Sequence, residues 1–197
     1  MPVVTLFMVV AAVVVFMAPA LHPALVYDRS AILGGQLWRL GTGPWVHFSA
    51  SHFLYDTLVL GIAGWMIERR AYPNFGWLCA VTPVVTGLAM LAVEPRLEIC
   101  GGLSGLATAA VVFLALHGLE ESGAWRWICS SALIATIGKI VMEITSGRFV
   151  FVQPDDASFL PVPSVHIMGA LTAFAVVIWN KVHKARKLRR VERLETL

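Results

Sequence analysis

Six long apolar stretches, separated by short polar segments, constrain this chain more than any other feature of its sequence. Most of them approach the roughly 20 residues that an α-helix needs to cross the hydrocarbon core of a bilayer. Charged residues make up only 14% of the chain, whereas soluble domains contain about a quarter. The sequence therefore predicts an all-α polytopic membrane protein, a single six-transmembrane-helix bundle at residues 1–180 with a basic tail at 181–197. The predicted spans are residues 3–27, 46–67, 75–93, 102–116, 125–144 and 164–180.

The first apolar stretch raises the question of a signal peptide. It has no positively charged segment before its apolar run, and the run is near full spanning length, whereas a signal peptide has a shorter apolar core. We therefore expect a retained first span. Pro19 and Pro23 should kink or end its outer half, because proline interrupts a regular helix. Residues 28–45 are predicted to form the first loop.

The distribution of Lys and Arg predicts how the bundle is oriented. Of the 15 basic residues, ten fall on the side of the tail, four fall on the opposite side and Lys139 lies within a span. Because cytoplasmic segments are enriched in Lys and Arg, the tail should be cytoplasmic, and with six spans the N-terminus should be cytoplasmic too. The tail is expected to contact anionic lipid headgroups, and nucleic acid is not an expected partner of this membrane-tethered chain.

Polar residues that are unusual in membrane helices cluster near the starts of the second, fourth and sixth predicted spans. These three spans run in the same direction, from the outer side to the cytoplasmic side. At about 1.5 Å rise per residue, each polar residue lies within roughly three turns of the start of its span. Buried ionisable groups face the bundle interior or a wet cavity. We therefore predict one outward-facing site that contains His47, His52, Asp56, Ser104 and His166.

Ser104 and His166 provide the minimal pair for nucleophilic catalysis, because a serine hydroxyl becomes a good nucleophile only when a neighbouring imidazole takes its proton. Ser104 follows Gly101 and Gly102 at the head of an apolar helix. Small neighbours permit close approach of a substrate, and backbone N–H groups at a helix start can stabilise negative charge. The alternatives are a small-residue packing face around Ser104 and a helix-cap role for His166. No acid in the sequence is clearly placed to orient His166.

The second span could support the same chemistry. His52 and Asp56 are four residues apart and share a helix face. His52 could donate a hydrogen bond to an oxyanion at Ser104, and the Ser104 backbone N–H could supply a second donor. His47 points off that face and is expected to hold the preceding loop. The alternative for His47, His52 and Asp56 is a polar packing network. Cys100 lies close to Ser104 in the sequence and is the alternative nucleophile.

Two short motifs resemble those of the rhomboid family of intramembrane serine proteases. Gly102-Leu103-Ser104-Gly105 resembles the GxSG motif of the family, and His166-Ile167-Met168-Gly169 resembles its HxxG segment. The resemblance implies a six-helix rhomboid-like bundle with a catalytic dyad of Ser104 and His166. It also implies a water-filled cavity that opens outward and transmembrane protein substrates that enter from the side.

Two further motifs extend the resemblance over residues 36–173. Trp38-Arg39 resembles the WR motif of the first loop of the family, and His47, His52 and Asp56 resemble its HxxxxHxxxN pattern. This resemblance implies an oxyanion hole that uses His52 and is supported by His47, Asp56 and Gly102. Asp56 stands where the family usually has asparagine. Because an ionised carboxylate would repel an oxyanion, Asp56 should be either protonated or paired with His52 or another base.

The compact size and the short first loop most resemble rhombosortases, bacterial relatives that process proteins with a C-terminal sorting tail. Such a tail combines small residues, an apolar span and basic residues. Lys139 and Glu143 in the fifth span resemble a Lys/Glu pair of these relatives. At i,i+4 spacing the two side chains are expected to pair with each other. The alternative is that Glu143, near the outer end of its span, contacts the substrate tail.

Two function hypotheses from different classes follow. The first is a serine endopeptidase of rhombosortase type in a bacterial inner membrane, which cleaves transmembrane-anchored proteins and opens to the periplasm. The alternative is a catalytically inactive rhomboid-like protein that binds transmembrane clients, which Asp56 favours and the presence of both Ser104 and His166 does not. No cofactor is expected, and no metal, because the three cysteines match no metal-binding spacing.

Overall fold

The computed structural model describes residues 1–148, 150 and 161–195. Most of the loop predicted before the last span, including Asp155 and Asp156, and the end of the tail lie outside the described residues. The helices are α1 (Val3–Met17), α2 (His22–Leu25), α3 (Arg29–Leu33), α4 (Arg39–Thr42), α5 (Ala50–Arg69), α6 (Phe75–Val93), α7 (Ser104–Gly118), α8 (Ala124–Ser146) and α9 (Pro163–Glu195). Two short antiparallel strands, β1 (Tyr27–Asp28) and β2 (Ile99–Cys100), pair with each other.

The long helices agree with a multi-pass membrane protein. Within the described residues, four helices are long and apolar enough to cross a bilayer: α5, α6, α8 and the part of α9 that ends at Lys187. The apolar α7 has only 15 residues, fewer than the roughly 20 that a full crossing needs. The all-α membrane class is therefore confirmed, whereas the full set of six spans stays a prediction.

The first apolar stretch is not one continuous helix over residues 3–27. α1 ends at Met17, and the segment Pro19–Leu25 turns away from it by 89°. Pro19 begins a 3₁₀ turn at Pro19–Leu21, where the missing proline N–H and the fixed ring prevent α1 from continuing. The break that the prolines indicate therefore comes at the first of them and is close to a right angle.

The first loop is more ordered than the sequence analysis predicted. Residues 28–45 contain α3, α4 and a 3₁₀ turn at Gly43–Trp45. The buried Arg39 holds this segment together, because its guanidinium donates to the Val26 carbonyl at 2.9 Å and to the Gln36 side chain at 2.8 Å. A side chain with several fixed donors can thus fold a short segment around itself.

The two strands connect the first loop to the segment that leads into α7. Tyr27 lies opposite Cys100 in the ladder, and Asp28 lies opposite Ile99. Gly101 and the residues up to the start of α7 follow immediately. The position of the α7 N-terminus is therefore set by the first loop as well as by helix packing.

The last helix continues past the predicted boundary at residue 180. α9 contains 33 residues and runs without interruption to Glu195. At about 1.5 Å per residue it is longer than the roughly 30 Å hydrocarbon core. Its basic end forms the extension of a membrane helix, and Lys181 pairs there with Glu120 of the turn after α7.

The central helix of the bundle is α7, which contacts α5, α6, α8 and α9. Most of its residues are buried, and many of them are alanine, glycine or threonine. α7 and α9 come closest at Gly105 and Gly169, where a Cβ added to Gly169 would collide with the Gly105 carbonyl oxygen. A Cβ added to Gly105 would lie 2.6 Å from the Val165 side chain. Small residues thus let the two backbones touch, which places the start of α7 beside the start of α9.

Candidate active site

Ser104 is the first residue of the buried helix α7. The turn before it depends on Gly102, whose φ of +116° is in the region that only glycine adopts readily. A Cβ at Gly102 would also collide with the His52 ring, reaching 2.8 Å from its Nε2. The backbone at Gly102 therefore lies directly against the His52 imidazole, and no larger residue fits at this position.

A cavity of about 60 Å³ lies at this end of the bundle. It is lined by Ser104, His166, Asp56 and Lys139, among others. A volume of this size can hold a water molecule, since a water needs at least one probe-sized volume and polar partners. The structure therefore brings three residues of the predicted site, Asp56, Ser104 and His166, together with Lys139 around one small polar cavity.

His166 lies in the first turns of α9 and is 5% exposed. Its Nδ1 is 2.8 Å from Oε2 of Glu143, which comes from the end of α8. Glu143 also pairs through Oε1 with Lys139 Nζ at 2.8 Å, as the i,i+4 spacing predicts. Lys139 Nζ in turn lies 3.4 Å from both ring nitrogens of His166. The three side chains form one ionic cluster at the edge of the cavity.

The contact between Glu143 and His166 is the part of the site that sequence reasoning missed. A signal was present, because α8 runs in the opposite direction to α9. The end of one helix and the start of the next then lie at the same depth. Glu143 falls at the end of α8 and His166 near the start of α9. Their equal depth therefore indicates Glu143 as a candidate neighbour of His166.

Asp56 is 1% exposed and lies between two imidazoles. Its Oδ2 is 3.1 Å from His52 Nε2 and 3.4 Å from His47 Nε2. Of the two alternatives for Asp56, protonation or pairing with a base, this arrangement favours pairing with His52. A carboxylate that shares its charge with an adjacent imidazole does not face the cavity as a bare anion.

His47 connects the segment before α5 to the residue before Ser104. The Leu103 backbone N–H donates to His47 Nε2 at 3.2 Å, and His47 Nδ1 lies 3.2 Å from the Trp45 carbonyl oxygen. A backbone N–H can only donate and a carbonyl can only accept. The two contacts therefore fit a neutral His47 that carries its proton on Nδ1. His47 therefore contacts both the loop that precedes α5 and the turn that leads to Ser104.

Cys100, the rival nucleophile, precedes this turn in β2, outside the membrane-spanning helices. Burial raises the pKa of its thiol to about 11. The thiol is therefore neutral at physiological pH, whereas the reactive form of cysteine is the thiolate. Among the residues that the structure describes, no group of three or more His, Cys, Asp or Glu side chains is arranged to hold a metal ion.

Comparison with known protein families shows that a family model described as "Rhomboid domain" matches residues 34–182. The matched region contains every site residue discussed above. No curated protein matched the chain.

Proposed function

This chain belongs to the rhomboid family, whose members are generally intramembrane serine proteases, and we propose that it is an intramembrane serine endopeptidase that uses Ser104 and His166. The family model covers about three quarters of the sequence. The observation that carries the proposal is the shared cavity, which Ser104 lines from α7 and His166 lines from α9. Membrane-anchored proteins are the substrate class that the family acts on.

The reaction proceeds in two halves. Ser104 Oγ attacks the scissile carbonyl carbon while His166 takes the hydroxyl proton, and the resulting imidazolium gives that proton to the leaving amine. A water molecule in the cavity then loses a proton to His166 and attacks the acyl-enzyme. The acid is released, and the proton returns to Ser104 Oγ. His52, which lies against the Gly102 turn, and the Ser104 backbone N–H are the proposed donors to the oxyanion.

The proposed placement of the enzyme follows from the charge distribution. Six spans in a bacterial inner membrane would put both termini in the cytoplasm, with the starts of α5, α7 and α9 towards the periplasm. The cavity at that end of the bundle then receives water from outside. Substrate cleavage would take place near the outer surface of the membrane.

The proposal is tested by labelling with a fluorophosphonate, which reacts only with an activated serine. In detergent, the wild type should be labelled and Ser104→Ala should not be, because no other residue is proposed to attack phosphorus. Ser130→Ala is a matched control, since Ser130 is a half-buried serine of α8 that does not line the cavity and donates to the Arg126 carbonyl at 2.9 Å. A folded wild type that resists labelling, or equal labelling of wild type and Ser104→Ala, would overturn the assignment. A folded wild type that is not labelled but co-purifies with a transmembrane client would favour the inactive, client-binding alternative that Asp56 suggests.

The finer proposal is a rhombosortase, supported by the short first loop and by the Lys139–Glu143 pair. We expect a reporter whose C-terminal tail has small residues, an apolar span and basic residues to be cleaved in cells that express the wild type. Replacing the small residues of that tail with leucine should strongly reduce the cleavage, because bulky side chains would crowd the small cavity beside Ser104. The readout is the cleaved reporter on an immunoblot. Equal cleavage of both reporters would exclude a preference for sorting tails and leave a general rhomboid endopeptidase.

A further inference from the structure

Glu143 is one of two buried residues in a helix whose other side chains are half-buried or exposed. In the 23-residue helix α8, Cys129 and Glu143 are the buried residues, and Glu143 is 2% exposed. An acidic side chain inside a membrane domain is costly and usually has a specific partner. Its burial at this position therefore requires an explanation beyond the packing of α8.

Each carboxylate oxygen of Glu143 lies close to one basic side chain. Oε1 lies 2.8 Å from Lys139 Nζ, and Oε2 lies 2.8 Å from His166 Nδ1. The contact at Oε2 is an ion-pair contact, and among the described residues Oε2 has no partner that meets full hydrogen-bond geometry. A buried carboxylate with both oxygens engaged has no free surface for a substrate tail, so these contacts favour a role inside the site over tail recognition.

The contact with His166 has a chemical consequence. An ionised carboxylate only accepts hydrogen bonds, so the proton of a neutral His166 is held on Nδ1. The Nε2 lone pair is then left to accept the proton of Ser104. The same carboxylate stabilises the imidazolium that forms when this proton arrives, which is the role of the third residue in a serine protease triad.

Lys139 has a different position. Its Nζ is equally distant, at 3.4 Å, from Nδ1 and Nε2 of His166. An in-plane position at equal distances would collide with the ring carbon between the two nitrogens, so the ammonium lies over the ring face. There it cannot block the Nε2 lone pair, and it neutralises the charge of Glu143 within the buried cluster.

We propose that Glu143 is a positioning residue that completes a Ser104–His166–Glu143 relay, with Lys139 as the counter-ion of the carboxylate. The proposal rests on the peptidase function proposed above. It gives α8 a role in orienting the catalytic base.

The test compares fluorophosphonate labelling rates, because this small probe reports on serine activation without needing a substrate tail. Glu143→Gln should lower the labelling rate constant at least about tenfold, since loss of the equivalent carboxylate charge in a serine protease is strongly damaging. Reporter cleavage should show a fall in kcat with KM unchanged. Thermal melting in detergent establishes that each variant is folded.

Two further variants separate the relay from a structural ion pair. Glu143→Gln also leaves Lys139 without its partner. The double variant Lys139→Gln/Glu143→Gln is therefore compared with Lys139→Gln alone. Its labelling rate constant should be lower than that of Lys139→Gln by the same factor that separates Glu143→Gln from the wild type. Glu94→Gln is the matched control, because Glu94 binds the start of α9 through Ser164 Oγ at 2.7 Å but does not contact His166. Its labelling rate should equal that of the wild type.

Three results would overturn the inference. Unchanged labelling with a raised KM in Glu143→Gln would assign Glu143 to the substrate tail. Equal losses in Glu94→Gln and Glu143→Gln would show that carboxylates merely hold α9 in place. Absence of labelling in the wild type would instead remove the peptidase function, and the relay with it, which distinguishes the two failures.

Discussion

Gly169→Ala is expected to destabilise the bundle and to abolish activity together, although it adds only one methyl group. The new Cβ would collide with the Gly105 carbonyl oxygen and lie 3.0 Å from its carbonyl carbon. Backbone atoms of a buried helix cannot rotate away as a side chain can, so α7 and α9 must separate. Overpacking of this kind costs about 1–3 kcal/mol or more. The separation also moves Ser104 away from His166, so labelling of Ser104 should fall below detection.

The matched control is Gly138→Ala in α8, where an added Cβ would meet no atom of the described residues within 4 Å. Alanine is a better helix former than glycine by about 1 kcal/mol, so this variant should be as stable as the wild type or slightly more so. Melting temperature in detergent and labelling rate are measured on both variants. Equal melting temperatures and labelling rates for Gly169→Ala and the wild type would contradict the close contact between α7 and α9.

The sequence predicted the residues that line the site better than the contacts between them. Ser104 and His166 could be nominated because glycines and an imidazole near span starts are conspicuous in an apolar chain. Matching the directions of the spans then placed them at one depth. Residues at one depth can line a shared cavity when their helices pack closely, and the small residues Gly105 and Gly169 allow α7 and α9 to do so.

Lateral contacts between helices could not be predicted in the same way. Periodicity tells which residues share a face of one helix, but the rotation of each helix against its neighbours is set by packing of the whole bundle. The i,i+4 pair of Lys139 and Glu143 could therefore be predicted. Matching depths could make Glu143 a candidate neighbour of His166, but they could not establish the contact at 2.8 Å. For the same reason, the folding of the first loop around Arg39 and the pairing of β1 with β2 were not anticipated.

The site contains two carboxylates, and each is paired with an imidazole. Asp56 lies 3.1 Å from His52, and Glu143 lies 2.8 Å from His166. Pairing reduces the cost of holding charges in a membrane, because each carboxylate has a proton donor within reach. Under the proposed mechanism, serine activation and oxyanion binding are supported by separate acid–imidazole pairs, Glu143–His166 and Asp56–His52.

Asp56→Leu should slow the labelling of Ser104 by about 10²–10³-fold, the loss expected when an oxyanion-hole donor is removed. Asp56 Oδ2 lies 3.1 Å from His52 Nε2 and 3.4 Å from His47 Nε2. Leucine offers no acceptor, so His52 would lose the partner that fixes its ring and a buried polar group would be left unsatisfied. Asp56→Asn keeps an oxygen at the same place and should retain most of the activity, as expected from the asparagine that the rhomboid pattern usually has there.

A variant at the next residue provides the control for these two changes. Thr57 Oγ1 is buried and has no hydrogen-bond partner among the described residues, so Thr57→Val keeps the shape and should label at the wild-type rate. Melting temperatures of all three variants separate loss of chemistry from loss of fold. If Asp56→Leu labelled as fast as the wild type, His52 would not depend on Asp56. If Asp56→Asn were as slow as Asp56→Leu, negative charge rather than an acceptor oxygen would be required, because asparagine differs from aspartate chiefly in that charge.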